Sequence, residues 1–157
     1  MRPIKFRAWD KEEKKYYEPD YRGYLGIIHD LNVSLGGDLL IREEKDGVSR
    51  SVHESLFPNR YILEQFTGLL DKNGKEIYEG DIVKIEETTS DGKEHNYNLA
   101  VKFSSGTFNI YNPNCCKTCE SGWGCVSDLC EAIAFSDNRV SVVGNIHENP
   151  ELLEVKK

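Results

Sequence analysis

The sequence predicts a mainly β protein of curled antiparallel sheets or a partial barrel, with short helical turns near the C-terminus. Three observations predict it. Stretches of alternating apolar and polar residues have the period of two that a half-buried strand requires. Turn signals built on Gly, Asn and Asp separate these stretches at regular intervals. The aromatic content, eight Tyr, six Phe and two Trp in 157 residues, supplies core area to a chain only 38% hydrophobic. The length fits a single domain over residues 1–157.

The first strand is Ile4 to Trp9, where Ile4, Phe6 and Ala8 alternate with Lys5, Arg7 and Trp9. Asp10-Lys11-Glu12-Glu13 reads as a turn, and the polar segment to Arg22 joins two strands. Tyr24 to Ile28 and Val33 to Ile41 are short apolar runs interrupted by Gly26, Gly36 and Gly37, which points to bulges or close backbone approaches rather than helix. Asp46-Gly47 is a hairpin signal between Leu39-Leu40-Ile41 and Val48. Ser51-Val52-His53-Glu54 has capping-box spacing before Leu56 and Phe57, so one helical turn is expected with Ser51 as its cap.

Tyr61 to Phe66 is a β-prone run expected to end at Gly68, followed by a turn at Asp71-Lys72-Asn73-Gly74 and a second at Glu79-Gly80-Asp81. Ile82 to Glu86 and His95 to Phe103 are the next strands, joined through Ser90-Asp91-Gly92-Lys93. Ser104-Ser105-Gly106 turns the chain into Thr107 to Tyr111. Asp128 to Phe135 has the spacing of a short helix with Leu129, Ala132 and Ile133 inward, and Arg139 to Val143 is a final strand. Asn149, Pro150 and Glu151 form the N-cap, first position and acidic first turn of a terminal helical turn.

Charge narrows the function classes. Twenty Lys and Arg against 27 Asp and Glu give a net −7, which argues against a chain that coats nucleic acid or an anionic membrane non-specifically. The average hides a division: residues 1–15 carry +3 and the remainder −10. Met1 to Asp10 carries charges where a signal peptide needs an apolar stretch, and no apolar run reaches the roughly 20 residues that cross a bilayer. The expected location is the cytoplasm, with no membrane partner. Thiols stay reduced there, so the five cysteines are read as structural thiols, metal ligands or reactive groups before disulfides.

Two segments carry a family resemblance. Gln65-Phe-Thr-Gly-Leu-Leu-Asp-Lys-Asn-Gly-Lys-Glu-Ile-Tyr-Glu-Gly-Asp-Ile-Val-Lys84 and Val142-Val-Gly-Asn-Ile-His-Glu-Asn-Pro-Glu-Leu-Leu153 closely resemble the paired hallmarks of the YopX family, and Lys5-Phe-Arg-Ala-Trp-Asp10 fits it too. The resemblance implies a phage or prophage product of mostly β architecture, with no established catalytic activity. The residues themselves favour structural duty for these motifs: Gly68, Gly74 and Gly80 stand where turns demand a missing Cβ, and Ile82, Val83 and Ile85 fill a strand. The departure from the family pattern is a cysteine-rich loop at 113–130.

That loop is the strongest candidate for chemistry. Cys116 and Cys119 have the spacing by which one tight turn offers two thiolates to zinc, and Cys125 and Cys130 would complete a tetrahedral structural site, leaving Cys115 over. Reduced thiols in a surface loop, or a disulfide formed on oxidation, are the bland alternatives. Asp71, Glu76, Glu79, Asp81, Glu86 and Glu87 form an acidic cluster without metal-nuclease spacing, read as a solvated face. His147 is read as a surface residue, and no cysteine–histidine spacing marks a nucleophile.

Three hypotheses follow. The first is a non-catalytic binding or assembly module acting on an unidentified macromolecular partner, with a homo-oligomer suggested by exposed strand edges and abundant Tyr. The second is a nucleic-acid-binding module using Lys5, Arg7, Lys14 and Lys15 with Trp9, Tyr16 and Tyr17 as stacking platforms. The third is a metal-dependent enzyme.

Overall fold

The computed structural model describes residues 3–22, 28–45, 47–88, 92, 94–112, 126–135 and 139–154. The chain divides into two compact units, Arg7–Leu63 and Met1–Phe6 with Glu64–Lys157.

In the Arg7–Leu63 unit, β1 (Phe6–Asp10) forms a hairpin with β2 (Lys15–Tyr16), with Trp9 opposite Tyr16 and Asp10 opposite Lys15. The predicted alternation fails at the end of β1, where Ala8, Trp9 and Asp10 are all buried. Trp9 packs edge-on against Tyr16, with ring centroids 5.1 Å apart. Asp10 is inside because its carboxylate is fully engaged. Oδ1 accepts from the Glu12 and Glu13 amides at 2.9 and 3.2 Å, and Oδ2 accepts from Arg60 Nη2 at 2.7 Å. The expected turn at residues 10–13 is therefore an aspartate turn pinned by an ion pair.

Three strands, β3 (Ile28–Val33), β4 (Leu39–Lys45) and β5 (Val48–His53), make an antiparallel sheet in that order. The glycine-broken run Val33 to Ile41 is a hairpin. Ser34 Oγ accepts from the Gly36 and Asp38 amides at 3.1 Å each, and Gly37 takes φ +94°. Lys45 stands opposite Val48 and Gly47 has φ +75°, as the Asp46-Gly47 signal predicts. The helical turn is a 3₁₀ turn at Glu54–Leu56, but His53 caps it, its Nδ1 accepting from the Ser55 amide at 3.2 Å. Ser51 lies inside β5, two residues before the cap position, so the capping-box reading is corrected. The apolar run from Tyr24 falls outside the described residues except for Ile28.

β6 (Tyr61–Leu70) starts in this unit, and its residues from Glu64 onward belong to the second. There it pairs with β7 (Glu76–Tyr78). Gly68 does not end the strand. It sits at φ +87° in a bulge between the Phe66–Tyr78 and Leu70–Glu76 pairs, and Thr67 Oγ1 satisfies the irregularity by accepting from the Leu69 amide and donating to the Ile77 carbonyl.

Five further strands, β8 (Asp81–Thr88), β9 (Glu94–Ser104), β10 (Thr107–Tyr111), β11 (Val126–Asp128) and β12 (Val140–Asn145), form one antiparallel sheet. Its order is β11-β10-β9-β8-β12, and it curls into a half-barrel. One face carries Val83, Ile85, Val101, Phe108, Ile110 and Val140 against Ile77 and the helix α1 (Leu129–Phe135), whose Leu129 and Ala132 are fully buried. Asp128 starts that helix, its Oδ1 accepting from the Cys130 and Glu131 amides. The other face buries Ile82 and Ala100 under Leu153, with Tyr111, Ile146 and Leu152 packed around them. The strong alternation in β9 thus reports a strand covered on both sides at its centre, with Ala100 and Val101 both buried. The terminal turn is 3₁₀, Pro150–Leu153, and Asn149 makes no side-chain cap to it. Among the described residues no helix is long and apolar enough to cross a membrane.

Candidate functional site: the buried Glu64–His147 pair

The two hallmark motifs meet where β12 ends. Asn145 is buried there, and its Oδ1 accepts from the His147 and Glu148 amides at 3.0 and 2.9 Å while its Nδ2 donates to Glu148. That side-chain turn aims the His147 ring inward. Nε2 lies 2.8 Å from Glu64 Oε1, with side chains 11% and 3% exposed, so the surface placement expected for His147 is overturned. Beneath the pair runs Gly80, at φ +77°. Its amide donates to the Val101 carbonyl and its carbonyl accepts from Ile146. A Cβ there would stand 2.1 Å from Glu64 Oε1. Gly144 is closely approached too, since a Cβ there would meet Asn149 Oδ1 at 2.5 Å. Asn149 is held in that place because its Oδ1 accepts from the Asn145 amide, which is why it is not an N-cap.

Glu64 carries the one sequence signal that could have exposed this pair. It shares a strand face with Phe66 inside an apolar run, and a carboxylate in such a place needs a partner. Chemically, an imidazole bonded to a carboxylate is the orienting half of an acid–base device. Here it joins residues 83 positions apart at the base of a latch between two motifs.

The acidic cluster is also a set of braces rather than a solvated face at its key members. Asp71 is buried. Its Oδ1 accepts from the Asn73 and Lys75 amides at 2.8 and 2.9 Å, and its Oδ2 accepts from the Val142 amide at 3.0 Å, tying the turn to β12. Asp81, also buried, accepts from the Tyr78 amide at 2.8 Å. Glu79 bridges strands, with Oε2 on the Gln65 amide and Oε1 on the Phe103 amide. Glu76 and Glu86 behave as surface charges: Lys5 pairs with Glu76, and Lys72 and Lys84 on the two oxygens of Glu86 hold its carboxyl down to about 2.

These bonds set an acid limit. Burial pushes the Asp71 carboxyl up, but the amides of Val142, Lys75 and Asn73 outweigh it and leave the group below the usual aspartate value. Asp10 is lowered in the same way: burial opposes the shift, and Arg60 with the Glu13 and Glu12 amides prevails. Thr107 chiefly lowers Asp128. A carboxyl lowered by folding contributes stability that is complete above its unfolded pKa and lost as pH falls through its folded pKa. Stability is therefore expected to fall below about pH 4. Acid titrations followed by circular dichroism should show a shallower fall in Asp71→Asn than in wild type.

The four candidate nucleic-acid residues have intramolecular neighbours or stand in turns. Lys5 pairs with Glu76 and lies over the Phe66 ring at 5.4 Å. Arg7 stacks over Tyr16 at 4.4 Å. Lys14 occupies the positive-φ position of the β1–β2 turn, and Lys15 is 3.8 Å from Glu13. Of the metal candidates, Cys116, Cys119 and Cys125 lie outside the described residues. Cys130 is exposed in the first turn of α1. Among the described residues, no group of three His, Cys, Asp or Glu is placed to hold a metal ion.

Fold and site together define a class: a mainly β protein with a half-barrel antiparallel sheet, in which a turn-rich motif and a C-terminal motif are latched by buried polar side chains. The family model described as YopX protein matches residues 5–154, and the chain belongs to the YopX family. It is similar to the SPbeta prophage-derived protein YopX of Bacillus subtilis (strain 168), 28% identical over 149 residues that cover 95% of each chain. The crystal structure of protein EF1440 from Enterococcus faecalis matches 98% of this chain and all of its own at 29% identity, with a TM-score of 0.54. The X-ray structure of YopX from Bacillus subtilis matches both chains in full at 24% identity and a TM-score of 0.58.

Proposed function

We propose that this protein is a phage or prophage accessory protein that works in the host cytoplasm by binding or assembly, without catalysing a reaction. One observation carries the reading. The residues with the most chemical potential in or beside the hallmark motifs, Glu64, Asp71, Glu79, Asp81 and His147, are each bonded to backbone amides or to one another, all but Asp81 to groups 14 or more residues away. A group held in that way stabilises one backbone path, and a rigid β surface is what a binding module presents. The likeness to a prophage-derived relative supports the phage origin.

The test is affinity capture of the tagged chain from bacteria carrying the prophage, before and after induction. A stoichiometric partner retained by Glu64→Gln, assayed where that variant is still folded, is the expected result. A chemical turnover that disappears in folded Glu64→Gln would overturn it.

A further inference from the structure

Among the described residues, the edges of β3 and β12 are bonded at least in part, three edge strands are too short to template another chain, and one six-residue edge carries no backbone bond on its outer side. Asp20 and His29 exchange amide–carbonyl bonds of 2.9 Å on the outer side of β3. On the outer side of β12, Lys72 donates to the Val140 carbonyl and Asp71 accepts from the Val142 amide. β2, β7 and β11 are two or three residues long. β5 (Val48–His53) ends the β3-β4-β5 sheet, carries no proline or bulge, and is exposed at every position but Val52. No backbone group among the described residues bonds to its outer side.

The hairpin fixes which groups that edge offers. A two-residue turn makes its closing pair, Lys45 and Val48, a hydrogen-bonded one, and bonding then alternates along an antiparallel ladder. The amides and carbonyls of Val48, Arg50 and Val52 therefore face β4, and those of Ser49, Ser51 and His53 face outward. Resting on the reading of the protein as a binding or assembly module, we infer that β5 pairs antiparallel with β5 of a second copy of this chain, about a two-fold axis at Ser51.

The outward groups of Ser49, Ser51 and His53 are self-complementary with a second copy in antiparallel registers centred on Arg50, Ser51 or Val52, and bond number and charge select among them. Centring on Val52 forms two hydrogen-bonded pairs, against three at Ser51. Centring on Arg50 sets two guanidinium-bearing residues directly opposite, which is destabilising. Centring on Ser51 sets the small serine on the axis, Arg50 opposite the apolar Val52 of the other copy, and Ser49 opposite His53. This register makes about six amide–carbonyl bonds, two for each hydrogen-bonded pair. It also joins the two three-stranded sheets into one six-stranded sheet.

Sedimentation of the full chain against concentration tests it. The wild type is expected to associate, and Ser51→Lys, which places two ammonium groups on the axis, should raise the dissociation constant by about tenfold or more. Ser51→Pro should do the same with an unchanged circular dichroism spectrum, because it removes an outward amide, whereas Arg50→Pro removes an inward one and should damage the hairpin. Ser51→Cys should give a 51-to-51 disulfide on oxidation, identified by mass spectrometry. Paired Cα atoms lie about 5.5 Å apart there, whereas residues 50 are diagonal at about 7–8 Å, so Arg50→Cys should link poorly. A wild type that stays monomeric overturns the inference. An oligomer indifferent to both Ser51→Lys and Ser51→Pro, with no 51-to-51 link, also overturns it, while leaving assembly through another surface in place.

Discussion

Gly80→Ala is expected to lower the unfolding free energy by about 2–4 kcal/mol, measured by urea denaturation. Part of the loss is local, because an alanine at φ +77° costs about 1–2 kcal/mol in the left-handed region. The rest is tertiary. The new Cβ would occupy the space of Glu64 Oε1, and that carboxylate can withdraw only by abandoning His147 in a buried setting, at about 1–3 kcal/mol. Gly74 is the internal control. It has nearly the same φ, +79°, but a Cβ there meets nothing within 4 Å. Gly74→Ala should therefore lose only the backbone contribution, and the difference between the two variants measures the contact with Glu64. Equal losses would mean that Gly80 is an ordinary turn glycine.

Asp71→Ala should cost about 2–4 kcal/mol, since charge-assisted bonds to three amides disappear and the Val142 amide loses its acceptor. Asp71→Asn should recover part of this. The one remaining carbonyl oxygen serves either the turn amides or Val142, and the amide nitrogen then faces a donor. Thermal denaturation at pH 7 should rank wild type above Asn and Asn above Ala. A neutral Asp71→Ala would return the acidic cluster to the solvated face that charge patterning implied.

Much of the fold was legible because it is written in local signals. Asp46-Gly47, Asn73-Gly74 and Ser105-Gly106 name their turns through residues that tolerate positive φ, and Asp128 names the start of α1. The errors come from tertiary context. Gly68 reads as a strand end, yet Thr67 satisfies a bulge with its own hydroxyl and the strand continues. Ser51 has the right spacing for a cap, but the β4–β5 ladder runs on to the Leu40–His53 pair, so the turn starts two residues later and His53 takes the role. Asn149 has the right identity for an N-cap, but the close approach of Gly144 gives its side chain to Asn145. His147 was illegible for a related reason. Its partner is 83 residues away, and only a buried charge in the apolar face of β6 hints that one is needed.

The architectural role of the latch is tested most directly by a double-mutant cycle on Glu64→Gln and His147→Gln, with unfolding free energies at pH 7. A latch requires each single change to destabilise the protein and the pair to couple by about 1–3 kcal/mol. Residues retained for chemistry instead commonly leave stability unchanged or improved when replaced. Uncoupled variants as stable as the wild type would contradict the architectural role and reopen the pair as an active site.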